Sequence, residues 1–179
     1  MARMAELTEV EHNIQTMIAD NDTLIITDPC YILKEEHWDD FGDKHGYSDL
    51  DVYLRRYHNF GEVLGYETGF GDWSNLVCEN ETGKAIGRFC ADAGMVMVCT
   101  ASDLANYRPD YQEVVKDLVE HECAAVIPDF TGEVKLSMET YKSPYGDYEN
   151  RWTVITGESE DGNNWHTLHA TEDYADFED

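Results

Sequence analysis

The spacing of apolar residues changes along the chain, from a helical period near the N-terminus to a β period from about residue 62. Apolar residues recur at helical spacing in residues 9–20, behind the capping box Thr8-x-x-Glu11. We therefore predict an amphipathic helix over residues 9–20 that ends at Asn21-Asp22.

Two further helices are predicted. A short one starts near Ser48, which Asp51 follows three residues later, and carries apolar residues as far as Tyr57. The clearest helix spans residues 110–121, where an apolar stripe containing Val114 and Leu118 lies opposite a row of acidic residues.

Short runs of β-branched and apolar residues, separated by turns that often contain Gly, predict strands through the rest of the chain. These runs cover residues 23–27, 62–68, 75–79, 85–91, 95–100, 123–127, 132–140, 151–156 and 165–170. Because strands outnumber helices and mostly follow one another directly, we expect an α+β fold: a curled, mainly antiparallel β-sheet with about three short helices. We expect residues 1–170 to form a single globular domain and residues 171–179 an acidic, frayed tail.

Composition narrows the class of protein. Hydrophobic residues make up 42% of the 179 residues and aromatic residues 12%, too much for an intrinsically disordered acidic chain. No apolar run approaches a membrane span, and the first residues lack the apolar region of a secretory signal. The five cysteines contain no Cys-x-x-Cys pair, so we interpret them as reduced thiols of a cytoplasmic protein. We predict no metal site and no cofactor.

Net charge is the strongest functional clue. The chain has 38 Asp and Glu residues and 12 Lys and Arg residues, which gives a formal net charge of −26. Such a surface repels nucleic acid and anionic membranes and attracts basic protein surfaces or cations. Self-repulsion also destabilises the folded state, and solubility alone requires a much smaller imbalance. We therefore expect a basic protein partner. Adaptation to high salt and simple solubility are the alternatives.

Part of this charge forms two clusters, which are the predicted partner-binding residues. They are Glu35, Glu36, Asp39 and Asp40, and, on the third predicted helix, Asp110, Glu113, Asp117 and Glu120. Duplex DNA carries one charge per about 1.7 Å of axis, so the 26 net charges correspond to about 44 Å of duplex. A compact chain of this length is about 40 Å across. The charge density therefore suits a nucleic-acid mimic, whereas a solubilising surface is the simpler interpretation.

Three turns carry an acid that could serve a ligand site. The turns are Asp28-Pro29-Cys30-Tyr31, Gly69-Phe70-Gly71-Asp72-Trp73 and Ala91-Asp92-Ala93-Gly94. If Asp28, Asp72 and Asp92 converged, they would make a carboxylate pocket for a hard metal ion. A structural role is simpler at each position: a cap at Asp28, a bulge or tight hairpin around Asp72, and bonds to turn amides at Asp92. We predict no catalytic residue.

The motifs Asp-Pro-Cys-Tyr, Gly-Asp and Asp-Ala-Gly, within residues 23–104, resemble a loose group of small, uncharacterised proteins from bacteria and their phages. In that group the middle motif tends to be Gly-Asp-Gly, whereas this chain has Gly71-Asp72-Trp73. The resemblance implies a β-rich fold and a phage or mobile-element setting. In that setting, small acidic proteins are often inhibitors that occupy the nucleic-acid site of a host defence enzyme.

These observations favour an acidic binding or inhibitor protein over an enzyme. We expect it to dock on a basic surface of a partner, such as a nucleic-acid-binding host protein, and to act as a nucleic-acid mimic in anti-defence. It would bind neither nucleic acid nor a membrane directly. The alternative hypothesis is a small metal- or polar-ligand-binding module, or a hydrolase-like enzyme, that uses Asp28, Asp72 and Asp92. The positions of the three acids discriminate between the hypotheses.

Overall fold

The computed structural model describes residues 10–38, 53–56, 60–67, 73–79, 84–142, 149–159 and 166–171. Within them, nine strands form one β-sheet. The strands are β1 (Val10–Thr27), β2 (Tyr53–Arg56), β3 (Glu62–Glu67), β4 (Trp73–Glu79), β5 (Ala85–Ala91), β6 (Met95–Thr100), β7 (Ala124–Lys142), β8 (Glu149–Ser159) and β9 (His166–Thr171). The helices are α1 (Pro29–Ile32), α2 (35–38, as far as it is described), α3 (Ala101–Tyr107) and α4 (Tyr111–Glu120).

The sheet is antiparallel and curled. Its strand order is β2-β3-β6-β1-β7-β8-β9-β4-β5, and each neighbouring pair runs antiparallel. The last strand in this order, β5, lies against the start of β7. The amide of Cys90 donates there to the carbonyl of Cys123 with an N···O distance of 3.4 Å. Gly87 on β5 lies so close that an added Cβ would be 2.9 Å from the Cβ of Ala125. The predicted α+β class with a curled antiparallel sheet is confirmed.

The two longest strands, β1 and β7, pair along the length of β1 and bend together. The bend lies where Asn21 of β1 and Asp129 of β7 take positive φ angles of 46° and 53°. The pairing register shifts there, between Ala19 and Leu24. Across the bend, the amide of Asn21 donates to the hydroxyl of Thr131 at 2.8 Å. Irregularities of this kind increase local twist and allow the sheet to curl.

The helix predicted over residues 9–20 is wrong, because residues 10–20 belong to β1. Side chains there follow the two-residue alternation of a strand: Met17 and Ala19 are buried, whereas Ile18 is 76% exposed. In β7, which pairs with β1, Val134 and Leu136 are buried with the same two-residue alternation. This pairing makes the segment a strand, although the spacing of its apolar residues is helical. The predicted capping residue Thr8 lies outside the described residues.

The remaining predicted elements have mixed outcomes. The helix predicted around Ser48–Tyr57 is wrong in its described part, since residues 53–56 form β2; the remainder lies outside the described residues. The helix predicted over 110–121 is confirmed as α4, and α3 was not predicted. The predicted strands are present, with the runs 123–127 and 132–140 joined into the single strand β7.

Two apolar cores lie on the two faces of the sheet. The inner core is enclosed by the curled strands and includes Leu24, Ile26, Tyr66, Phe89, Phe130 and Leu136. The outer core lies beneath the helices and includes Ile25, Ile32, Phe60, Met97, Leu104 and Leu118. The β6 strand, buried at all six positions, contributes to both. The outer core fixes α1, α3 and α4 to the sheet. It therefore positions Asp28, which precedes α1, and the acidic side chains of α4.

Candidate functional site

A buried carboxylate holds two of the predicted motifs together. Asp28 is the N-cap of α1, and its Oδ1 accepts the amide of Cys30 at 2.8 Å. Its Oδ2 accepts the amides of Ala93 at 2.8 Å and Met95 at 3.3 Å, in and just after the turn between β5 and β6. The Asp-Pro-Cys-Tyr and Asp-Ala-Gly motifs are therefore adjacent in the fold.

The environment of Asp28 indicates a structural role. The residue is completely buried. Burial raises the pKa of its carboxyl above the ordinary value of 3.8, and the amide hydrogen bonds act in the opposite direction. Both oxygens are engaged by backbone N–H groups, so the side chain fastens the β5–β6 turn onto α1. The interpretation of Asp28 as a turn cap is confirmed.

Asp92 lies on the exposed side of the same turn. The turn closes through Gly94, whose φ of 76° favours glycine, and whose amide donates to the carbonyl of Ala91 at 3.1 Å. The hydroxyl of Tyr31 donates to Oδ2 of Asp92. Burial, together with this hydrogen bond and the neighbouring Cys123, raises the pKa of Tyr31.

This arrangement provides no set of ligands for the alternative hypothesis, a metal- or polar-ligand site formed by Asp28, Asp72 and Asp92. Asp28 and Asp92 belong to adjoining turns, but the contacts that join them are backbone amides and the Tyr31 hydroxyl. Asp72 lies outside the described residues. Among the residues that are described, no group of three His, Cys, Asp or Glu side chains is placed to hold a metal ion.

Three cysteines surround this buried carboxylate and its turn: Cys30, Cys90 and Cys123. All five cysteines of the chain are free thiols. Burial and the charge of Asp28 raise the pKa of Cys30, and burial with the neighbouring Cys123 raises the pKa of Cys90 to about 11. Such thiols stay protonated at neutral pH and are weak nucleophiles. The pairing of Asp28 with Cys30 therefore gives no activated thiol.

The second candidate region is the solvent side of α4. The helix packs on the outer core through Tyr111, Val114, Val115 and Leu118. Val119, the other apolar residue of the predicted stripe, is 39% exposed. Its opposite side carries Glu113, Asp117 and Glu120, all exposed to solvent. We call the exposed carboxylates of Glu35, Glu36, Asp110, Glu113, Asp117 and Glu120 the acidic helical face.

Arg108 anchors the first residue of this face on α4. Asp110 stands at the N-cap position and forms a two-pronged pair with Arg108, with Nε–Oδ1 at 2.8 Å and Nη2–Oδ2 at 3.3 Å. The Arg108 guanidinium holds the pKa of Asp110 below its ordinary value. The same guanidinium donates from Nη1 to the carbonyl of Ile32 at 3.2 Å. One side chain thus ties the start of α4 to the end of α1.

Tyr107 makes the second link between α2 and the residues just before α4. Its hydroxyl accepts the amide of Lys34 at 2.9 Å and lies 2.8 Å from Nδ1 of His37, while its ring stacks on Phe60 with centroids 4.8 Å apart. Burial raises the pKa of Tyr107, and the charge of Glu36 adds to that effect. These contacts leave His37 half-buried.

The structure therefore places the segment just before Glu35 and Glu36 against the residues just before α4. Glu35 and Glu36 are exposed on α2, beside the Tyr107–Arg108 corner from which α4 starts. Asp39 and Asp40 lie outside the described residues. Sequence reasoning missed the linking pair Tyr107 and Arg108. The one available signal was the acid two residues after Arg108, at the start of a predicted helix.

Among the described residues, no helix has both the length and the apolar character needed to cross a membrane. No family model, curated protein or solved structure matches this chain.

Proposed function

We propose that this chain is a non-enzymatic, acidic binding protein that docks its acidic helical face on a basic surface of a partner protein. By occupying that surface it competes with nucleic acid. The observation that carries the proposal is that Tyr107 and Arg108, just before α4, bind the backbone of Lys34 and Ile32, just before Glu35 and Glu36.

The spacing of the carboxylates supports this proposal. At about 1.5 Å of rise per residue, Glu113, Asp117 and Glu120 are separated along α4 by about 6 and 4.5 Å. Phosphates along one strand of a duplex advance by about 3.4 Å of axis, so the two charge spacings are of the same order. Arg side chains that normally hold phosphates would meet carboxylates through two-pronged, charge-assisted hydrogen bonds.

The rigidity of α4 supports it as well. The outer core holds the apolar side of the helix, and Arg108 fixes its first turn. Docking would therefore immobilise acidic side chains but not the backbone, which limits the entropic cost of association. The remaining negative charge would accelerate encounter with a basic partner, and that acceleration would weaken as salt rises.

The partner class and setting form part of this proposal. The partner is a basic, nucleic-acid-binding host protein, and the setting is a phage or mobile element that blocks host defence. The resemblance of the three turn motifs to small phage and bacterial proteins supports the setting, and the charge supports the class of partner.

The test is capture of partners from a bacterial lysate at low and high salt. The test variant E113Q/D117N/E120Q is compared with D20N/D129N/E133Q, which removes the same number of exposed acids near the bend of β1 and β7. We expect the first variant to lose at least tenfold in affinity for the captured protein at about 0.1 M salt, and the second to lose little. Equal losses of affinity in the two variants would mean that binding depends on net charge alone. No loss of affinity in either variant would overturn the proposal that the acidic helical face docks on the partner.

A second measurement tests mimicry separately from docking. The captured protein is first bound to a labelled DNA or RNA duplex, and the acidic protein is then added. We expect displacement of the duplex by the wild-type chain and weaker displacement by E113Q/D117N/E120Q. A ternary complex with the duplex still bound would be consistent with docking, but it would overturn the proposal that the chain competes with nucleic acid.

A further inference from the structure

Two thiols from separate segments meet where the curled sheet closes. Cys90 lies near the end of β5, and Cys123 lies just before β7. Their backbones are joined by the hydrogen bond from the Cys90 amide to the Cys123 carbonyl, at 3.4 Å. The Cys90 thiol donates to the carbonyl of Glu122 and the Cys123 thiol to that of His121, each at 3.5 Å. Both thiols are half-exposed.

We propose that Cys90 and Cys123 form a reversible disulfide by exchange with a small-molecule disulfide such as glutathione disulfide. The bond would join β5 covalently to the start of β7 and close the curl of the sheet. This inference is independent of the docking proposal, because it uses none of the residues of the acidic helical face.

The backbone geometry meets the requirement for such a bond. Chain segments joined by backbone N–H···O=C hydrogen bonds, as neighbouring strands are, lie about 4.7–4.9 Å apart. A disulfide needs a Cα separation of about 4.4–6.8 Å. Because the backbones of Cys90 and Cys123 are already hydrogen-bonded, the link requires rotation of side chains and little movement of the chain.

The exchange proceeds in two balanced steps. The Cys123 thiolate attacks one sulfur of glutathione disulfide, forms a mixed disulfide and expels one glutathione thiolate. The Cys90 thiolate then attacks Sγ of Cys123 and expels the second glutathione. Each protein thiol gives up one proton, and the two electrons lost by the protein reduce one glutathione disulfide to two glutathione molecules.

The surroundings of Cys90 make closure slow at neutral pH. Burial and the neighbouring Cys123 raise its pKa to about 11, with Asp92 adding to the shift and Arg88 opposing it. Tyr31 faces the pair from α1 through its contact with Cys123. Since the thiolate is the attacking species, the rate of disulfide closure should rise about tenfold per pH unit between pH 7 and 10.

The test treats the full chain with glutathione disulfide at pH 8, blocks the remaining thiols and maps the linked peptides by mass spectrometry. Fragment ions must separate Cys90 from Cys99, because no Lys or Arg lies between them. We expect one Cys90–Cys123 disulfide, a fall from five free thiols to three, and a rise in Tm of at least about 5 °C that a reductant reverses.

Variants complete the test. C78S, which removes a half-exposed cysteine on β4, should oxidise as the wild type does. C90S and C123S should each stop at a glutathione adduct on the remaining thiol, with no rise in Tm. A disulfide between any other two cysteines, or a folded wild-type protein that forms no internal disulfide while its urea-unfolded form does, would overturn the proposal.

Discussion

Carboxylates have two different roles in this molecule. Asp28 is completely buried and accepts three backbone amides. In contrast, Glu113, Asp117 and Glu120 are exposed on α4. A buried carboxylate is stable only with hydrogen-bond partners close by, whereas an exposed one is satisfied by water.

This difference separates acids that hold the fold from acids free to meet a partner. Removing a buried acceptor leaves its donors unsatisfied, and the fold loses stability. Removing an exposed acid leaves the fold nearly unchanged and alters what the surface attracts. Residue type alone therefore does not identify a functional acid. Burial and the identity of its hydrogen-bond donors do.

Replacing Asp28 tests the comparison most severely. We expect D28A to lower the free energy of unfolding by about 3–5 kcal/mol, because the amides of Cys30, Ala93 and Met95 lose their acceptor in a buried site. D28N, which keeps the side-chain volume, should lose about 2–4 kcal/mol, since its NH2 group faces an amide donor. Urea unfolding followed by fluorescence measures both variants. A loss below about 1 kcal/mol in both would show that the three hydrogen bonds do not hold the turn.

The pH dependence of the unfolding free energy of D28N and D110N separates the effect of burial from that of ion pairing. Burial raises the pKa of Asp28 above 3.8, so its contribution to stability is fully present below pH 3.8 and is lost as pH rises through the folded pKa. Asp110 has the opposite sign, since pairing with Arg108 lowers its pKa and its contribution is lost as pH falls. Between pH 4 and 8, the difference in unfolding free energy between wild type and D28N should therefore shrink with rising pH. The difference between wild type and D110N should not.

Local sequence predicts the fold well where an element is defined by its own residues. The strands β5 and β6 and the turn between them follow directly from two apolar runs around Asp92-Ala93-Gly94. Helix α4 follows from its apolar stripe. In contrast, β1 depends on pairing with a strand about a hundred or more residues away, and the exposed apolar side chain of Ile18 gives residues 9–20 a helical spacing.

The candidate site shows the same limit. The acids of α2 and α4 could be located from the sequence, and so could the capping role of Asp28. Their assembly could not, because it depends on contacts between segments about seventy residues apart, from Lys34 to Tyr107 and from Ile32 to Arg108. Neither Tyr107 nor Arg108 belongs to an acidic motif, so composition gives no reason to select them.

Replacing Tyr107 by Phe sharpens the comparison at an intermediate level, because the residue joins α2 to the residues just before α4. The variant Y107F keeps the ring stacked on Phe60 but removes the acceptor for the Lys34 amide and one hydrogen-bond contact of His37. We expect a loss of about 1–2 kcal/mol in unfolding free energy. Hydrogen exchange should increase at residues 34–37 while that of α4 is unchanged. Equal exchange in wild type and variant would show that Tyr107 does not hold α2 in place.

Neutralising the acids of α4 should have the smallest effect on stability. In E113Q/D117N/E120Q, the relief of repulsion at spacings of three and four residues is worth about 0.2–0.5 kcal/mol per pair. The loss of attraction to Lys116, three residues after Glu113 and four before Glu120, offsets it by a similar amount. We therefore expect a change in unfolding free energy within about 0.5 kcal/mol, measured by urea unfolding beside D28A. A loss above about 1.5 kcal/mol would place these acids with Asp28 among the groups that hold the fold, and a loss of partner binding in this variant would then report unfolding instead of docking.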